Sequence, residues 1–349
     1  MERLGFVSAS RFDRQERFAP LGAEGQARLA RSRVLVVGCG ALGGALAQSM
    51  VRSGVGTVRI VDRDIVEESN LPRQVLFEPQ DIGQPKALVA ARALGRVGGP
   101  ARIEPHVRHL DGELLRELAA DVDLVLDGTD NLATRYLVND HAVERGRSWV
   151  YGGVVGSSGL VFPVVPPAGA CLRCLFPDPP PPGALPTCDS AGVIQPAVAA
   201  IAALQAGVAL RLLGSPRERR TQTKSRLIEL DVWSLECHGI DVPRDPDCPC
   251  CARREFSFLD ADTTGEALSL CGRRTVQVRP SRSTRARIDL VGLKARLATV
   301  AQDAALLDGL LRFRIEDITC SVFPDGRALF EGTDDPLRAR ALYDRWLGS

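Results

Sequence analysis

Residues 34 to 44 read VLVVGCGALGG. A short β-branched run that ends in glycines and passes into helix-forming residues is the pattern of a buried parallel strand, a tight turn and a helix N-terminus. Gly38, Gly40 and Gly43 fit G-x-G-x-x-G. Glycines there let the backbone approach a phosphate closely, and the helix N-terminus faces the negative charge. Outward from this turn, ALGGALAQSMVRSG gives a helix with apolar residues at 42, 46, 50 and 51 and a stop at Gly54, and TVRIVD (57 to 62) gives the next strand. Together they form a βαβ unit with a right-handed crossover. Asp62 stands at the end of that second strand, 22 residues beyond Gly40, where a carboxylate accepts ribose hydroxyls.

Farther along, Pro85 suits a helix start over 85–94, and DLVLDGTD (123 to 130) and SWVYGG (148 to 153) read as further buried strands. LVFPVVPP reads as a proline-interrupted strand outside the nucleotide-binding half, and FPDPPPPGALP (176 to 186) as a surface loop or a crossover lying over the site. After CPCC (248 to 251) the composition changes. RRTVQVRP, DLVGLKARLATV, LRFRIEDITCSVFPDGRALFEG and DPLRARALYDRWLG read as strand, helix, hairpin and helix, with PDG at 324–326 as the hairpin turn. Two helices on one small sheet make a separate unit.

The chain has 349 residues, 45% of them apolar, and 44 basic against 43 acidic side chains. That balance gives no global field for nucleic acid or an anionic membrane. The arginine-rich RPSRSTRAR (279 to 287) has charge enough to touch phosphate, but without interleaved aromatics it reads as a solvated linker. The N-terminus lacks an apolar stretch of signal-peptide type. AVAAIAALQAGVALRLL (197 to 213) contains Gln205 and is shorter than the roughly 20 apolar residues that span a bilayer, so it reads as a buried or subunit-facing helix. Ten cysteines without an export signal point to metal or thiol chemistry. A cytoplasmic location and no membrane partner are the expectation.

Glycines alone do not separate a nicotinamide cofactor from ATP. A dehydrogenase needs a flat apolar slot, whereas adenylyl transfer needs neutralisation of a triphosphate. DRDIVEESNLPRQVLF brings Asn70, Arg73 and Gln74 shortly after the second strand, and GQPKA brings Lys86 to a helix start. DGTDNLATR then offers Asp130 for a magnesium ion on the phosphates, Asn131 to fix a nucleotide or a loop, and Arg135 one turn onward. Read alone, Asp130 also fits a helix N-cap.

RFDRQ (11 to 15), GCGALGG, SNLPRQ (69 to 74), IGQPKA (82 to 87), GTDNLATR (128 to 135), CLRC (171 to 174), TCDSAGV (187 to 193) and CPCC occur in this order. Over residues 10 to 252 the chain thereby resembles the ThiF/MoeB-like adenylyltransferases, kin of the ubiquitin-activating enzymes. The resemblance implies activation of the C-terminal glycine of a small ubiquitin-like sulfur carrier, ending in Gly-Gly, by MgATP, for molybdopterin, thiamine or thiolated-tRNA synthesis. It implies a nucleotide site of Gly38, Gly40, Ala41, Gly43, Asp62, Ser69, Asn70, Arg73, Gln74, Lys86, Asp130, Asn131 and Arg135, with Asp130 at the magnesium. Arg14 resembles the arginine that reaches ATP from the partner subunit of a homodimer. The chain departs from some members in carrying no C-terminal rhodanese-like unit, so sulfur is expected from a separate sulfurtransferase or cysteine desulfurase. The C-terminal unit is a further addition, of open role.

Cys171 with Cys174 and Cys248 with Cys251 form two C-x-x-C knuckles, a set suited to tetrahedral zinc, and the resemblance implies a structural zinc. Cys188 lies outside both pairs. In the family it resembles a thiol that forms a covalent link to the carrier in some members and is dispensable in others. The expected fold is α/β: a Rossmann-like, mostly parallel sheet with a zinc-clipped second half over 10–252, a linker over 253–268 and a small α/β domain over 269–349. Three other readings stand beside the adenylyltransferase: a tRNA-nucleoside cyclising dehydratase, a non-catalytic dimeric scaffold and an NAD-dependent dehydrogenase.

Overall fold

The computed structural model describes residues 10–181, 188–259, 267–269, 274–280 and 287–347, without the side chains of 188, 189 and 267–269. Parts of the proline-rich crossover and of the expected linker, Cys271 and the centre of the arginine-rich stretch lie outside the described residues.

The chain opens with α1 (Asp13–Glu16) and α2 (Gly22–Arg31), then alternates β1 (Arg33–Val37), α3 (Ala41–Arg52), β2 (Thr57–Asp62), α4 (Lys86–Val97), β3 (Arg102–Val107), α5 (Gly112–Leu118), β4 (Leu124–Asp127), α6 (Leu132–Arg145) and β5 (Ser148–Val155). There it turns back as β6 (Ser158–Val164). The short α7 (Leu172–Leu175) and α8 (Cys188–Ala191), the long α9 (Gln195–Gly214), α10 (Arg217–Arg220) and the hairpin β7 (Arg226–Asp231) and β8 (Glu236–Asp241) follow. The sheet order is β3-β2-β1-β4-β5-β6-β7-β8. The first five strands are parallel, and β6, β7 and β8 are antiparallel additions.

β1 shows why its residues were nearly all apolar. Val34 and Val36 enter a core with Leu46, Met50 and Ile201, while Leu35 and Val37 enter the opposite core with Leu115, Val138 and Phe162. A central parallel strand covered on both faces has no solvent side to mark with polar residues. In β6, Pro163 is tolerated because pairing to β7 covers only 158–161. Helix α9, apolar enough by composition to cross a membrane, instead packs on α3 and on β5 and β6. Its one buried polar side chain in mid-helix, Gln205, donates to the carbonyls of Asp127 and Val150.

The C-terminal unit is an antiparallel sheet of six described strands, order β11-β12-β13-β14-β10-β9, with β9 (Ala267–Ser269), β10 (Thr275–Val278), β11 (Gln302–Leu307), β12 (Leu310–Ile315), β13 (Ile318–Val322) and β14 (Ala328–Glu331). Its helices α11 (Leu290–Leu297) and α12 (Pro336–Trp346) bury Leu293, Leu297, Ala339 and Leu342 with Leu311, Phe313 and Ile315 of β12. Leu310, Phe323 and Leu329 instead pack with Ile65, beside Val107, of the larger unit. The two sheets are therefore joined through the loop after β2. The expected single hairpin is extended: PDG does turn between β13 and β14, but β11 and β9 were not read from sequence.

Candidate active site and cysteine cluster

The glycine turn is a packing device first. Gly38 has φ +82°, and a Cβ on Gly43 would stand 1.9 Å from the Gly38 carbonyl oxygen. A Cβ on Gly128, just past the end of β4, would stand 2.5 Å from the Gly43 Cα. Three glycines thus let the turn, the first turn of α3 and the end of β4 touch backbone to backbone. Gly40 differs: the nearest atom to its added Cβ is Gln74 Nε2 at 3.8 Å. It borders open space at the N-terminus of α3, where the N–H groups of Ala41 and its neighbours begin the helix without intrahelical acceptors.

Asp62 ties this turn to β2. Its Oδ2 accepts from the Cys39 N–H at 2.6 Å and its Oδ1 from the Asp64 N–H at 2.7 Å. Burial, partly countered by Lys86, raises its carboxyl from the usual range. Burial also pushes the Cys39 thiol up, so it serves as a small packing residue. Lys86, only 3% exposed at the start of α4, holds Nζ 3.6 Å from Asp64 Oδ2. A buried ammonium beside two carboxylates is a preformed charged wall.

The loop after β2 supplies the opposite wall. Asn70 is fully buried, accepts from the Glu67 N–H and donates to Ser69 Oγ. Arg73 donates through Nη1 to the Ser69 carbonyl and is partly exposed. Gln74 lies against Gly40, and its buried Oε1 has no hydrogen-bond donor among the described residues.

The third wall is the loop from β4 to α6. Asn131 caps α6 by accepting from the Thr134 N–H, so the capping role open to Asp130 belongs to its neighbour, and Asp130 is exposed. Arg135 points back to the strand end. Its Nε donates to Asp127 Oδ2 at 3.0 Å and its Nη2 to the carbonyls of Thr129 and Gly152. Asp127 Oδ1 accepts from the Thr129 N–H and hydroxyl. The Nε and Nη2 donors of Arg135 thus shape the loop. Asp127 and Gly128 carry this architecture and went unread. The signal was a buried strand ending in Asp-Gly.

Two expected residues stand apart. In α1, Gln15 donates to Gln26 and to the Ser53 carbonyl, and Phe12 lies against Gly54. This is the C-terminal end of α3, so exposed Arg14 is about a helix length, roughly 18 Å, from the glycine turn of its own chain. Cys188 begins α8, and its side chain lies outside the described residues.

The two C-x-x-C pairs meet. The sulfurs of Cys171, Cys174, Cys248 and Cys251 all lie within 4.8 Å of one another, with Cys171 to Cys248 at 3.6 Å and Cys174 to Cys251 at 3.4 Å. Four sulfurs at about 2.3 Å from one tetrahedral ion stand about 3.8 Å apart, so the set fits zinc. Hydrogen bonds from Cys171 and then Cys174 hold the Cys251 thiol far below its ordinary range, as crowded sulfurs sharing protons require. Cys250 turns away, its sulfur accepting from Asn139 Nδ2 at 3.3 Å. Asn139 Oδ1 accepts from the Leu172 N–H, and Asp140 from the Phe258 N–H. Helix α6 therefore carries Asn131 and Arg135 at its start and braces both knuckles from its middle.

Comparison with known proteins agrees with this geometry. The ThiF family model matches residues 12–250. Sulfur carrier protein ThiS adenylyltransferase of Bacillus subtilis (strain 168) is 40% identical over 342 residues, covering 97% of this chain and 99% of that protein. Sulfur carrier protein adenylyltransferase of Thermus thermophilus is 41% identical over 249 residues, covering 69% of this chain and 90% of that protein. Adenylyltransferase and sulfurtransferase MOCS3 of Bos taurus is 37% identical over 269 residues, covering 74% and 58%. In fold, the chain is similar to E. coli MccB solved with ATP, at TM-score 0.61 and 21% identity over 71% of this chain and 75% of that one.

Proposed function

The chain belongs to the ThiF family, and from that premise we propose that it is an adenylyltransferase that uses ATP to activate the C-terminal glycine of a small ubiquitin-like sulfur carrier. The observation that carries this reading is the convergence of the Gly40 turn, Asp62 and Lys86 beside an exposed Asp130. The B. subtilis relative that matches both units favours a carrier of the ThiS type.

In this reading the phosphates lie at the N-terminus of α3 over Gly40, and Asp62 uses its remaining lone pairs for ribose hydroxyls. Lys86 and Arg73 offset the phosphate charge. Asp130 would hold magnesium, which supplies charge neutralisation at the phosphates when bound. A carboxylate oxygen of the carrier attacks the α-phosphorus, forming the acyl–phosphate bond. The bond to the β-phosphate oxygen breaks, and pyrophosphate leaves. Because charge moves but no proton must, alignment and neutralisation are the contribution of the protein.

The position of α1 supports a homodimer in which Arg14 serves the partner's site, since its own is a helix length away. The cysteine cluster would hold zinc structurally. Cys188 is the thiol for covalent capture: its thiolate attacks the acyl carbonyl and AMP leaves. A thiol-sensitive carrier adduct in intact mass spectra should disappear in Cys188→Ala, and an unchanged adduct rejects that role. Sulfur itself would come from a separate sulfurtransferase or cysteine desulfurase, in the cytoplasm.

The reading is tested by carrier-dependent exchange of labelled pyrophosphate into ATP. Asp130→Ala should lower exchange by at least about a hundredfold with an unchanged melting temperature. Full exchange without carrier, or in the variant, would overturn it.

A further inference from the structure

A cavity of about 420 Å³ lies between the two units, its lining free of glycine-turn residues and including Arg108, His109, Asp111, Arg279, Arg287, Asp325 and Arg327. Four arginines face two carboxylates there. Both carboxylates have other work: Asp111 caps α5 by accepting from the Leu114 N–H, and Asp325 accepts from the Arg327 N–H.

Arg327 is the centre of the argument. It is 1% exposed, and its Cζ lies over the Phe323 ring, 3.7 Å from the centroid. Nη1 donates to the Arg63 carbonyl at the end of β2. Nε and Nη2 are buried without a hydrogen-bond acceptor among the described residues, and the nearest carboxylate oxygen, Asp325 Oδ2, stands 4.0 Å from Nε. A buried guanidinium with open donors is costly unless an anion completes it. Arg279, at 6% exposure, adds a second nearly buried guanidinium from the start of the arginine-rich stretch. Arg108 and the exposed Arg287 close the rim from the two units.

We propose that this cavity binds a small phosphorylated molecule, whose multiply charged oxygens join the end of β3 to the C-terminal sheet. Planar guanidinium forks suit phosphate oxygens, and a volume of about 420 Å³ suits a small molecule over a nucleic-acid backbone. The local field agrees. Burial lowers Arg327 to about 10, still charged at neutral pH. Burial, then Arg63, Arg279 and Arg327, drive His109 well below the usual imidazole range. Because Arg327 holds the carbonyl between Asp62 and Asp64, an occupant would also fix the strand end that carries the candidate ribose acid.

The test is calorimetric titration of inorganic pyrophosphate, and separately of ribose 5-phosphate, into the full chain saturated with a non-hydrolysable ATP analogue. At least one probe should bind, and Arg108→Glu with Arg287→Glu should weaken it at least tenfold with analogue affinity unchanged. Both arginines are at the rim, so the variant should fold, which its melting curve checks. Preference for pyrophosphate identifies a free polyphosphate, and preference for the sugar phosphate identifies a phosphate ester. No binding of either probe at millimolar concentration, or affinity untouched by the double variant, overturns the proposal. Because the analogue fills the nucleotide site, this outcome is independent of whether pyrophosphate exchange occurs.

Discussion

The glycine turn at the start of α3 and the cysteine cluster at the middle of α6 hold their charges in opposite ways. The turn is made of backbone: Gly38, Gly43 and Gly128 pack without side chains. The cluster is made of side chains: four sulfurs converge at separations that fit one tetrahedral ion. One region is therefore expected to fail when an atom is added, the other when an ion is withheld. Helix α6 is common to both, with about 12 Å between Asn131 and Asn139 by helical rise.

The largest effect should come from emptying the cluster. Purified, reduced protein should contain about one zinc per chain, and Cys171→Ser with Cys248→Ser should release it. Because metal binding to a folded site adds directly to folding free energy, melting should fall by more than about 10 °C. Metal analysis that finds no zinc in the native chain would remove the contrast, because the sulfurs would then be held by packing alone.

The next effect separates two glycines of one motif. Gly43→Ala places a methyl 1.9 Å from a backbone oxygen that has no room to move, and should destabilise by about 3 kcal/mol with loss of nucleotide binding. Gly40→Ala meets nothing closer than 3.8 Å, so stability should drop by roughly 0.5 kcal/mol while the methyl takes space beside the helix N-terminus. Chemical denaturation and ATP titration on both variants check this. Equal loss of stability would mean that Gly40 is also a packing glycine, and the turn would have no open face.

These two regions were also the most legible in sequence, for a shared reason: each is local. Four cysteines at knuckle spacing and a glycine motif after β-branched residues need no distant partner to be recognised. The Asp127–Arg135 pair was not legible in that way, because its geometry also uses the Gly152 amide and carbonyl from a different strand. Arg135 entered the expected nucleotide site only through the resemblance; its pairing to Asp127 and Gly152 is a tertiary feature. In the C-terminal sheet, the turn between β12 and β13 uses Glu316 at φ +56°, with no glycine or asparagine to announce it. Strand β11, QDAALL, has helix-favouring composition and becomes a strand through pairing with β12. There a signal existed: Asp308–Gly309, with Gly309 at φ +81°, is the two-residue turn that joins them. The cavity at Arg327 joins residues more than 200 positions apart, which no motif records.

The smallest of these effects tests whether α6 transmits anything between its two regions. The side-chain hydrogen bonds of Asn139 go neither to the glycine turn nor to the four clustered sulfurs. It accepts from the Leu172 N–H inside one knuckle and donates to Cys250 inside the other. Asn139→Ala leaves that amide without its acceptor in a buried place, a loss of about 1–3 kcal/mol. If the two regions are independent, the variant should surrender zinc to a chelator several times faster than the native chain while pyrophosphate exchange stays within about twofold. Asn131 and the Asp127–Arg135 pair still fix the start of α6 in that variant, and nothing they touch has changed. A parallel fall in exchange and zinc retention would instead make the helix one rigid unit whose middle sets the position of Asp130, and the division between a backbone-built and an ion-built region would no longer describe how the protein works.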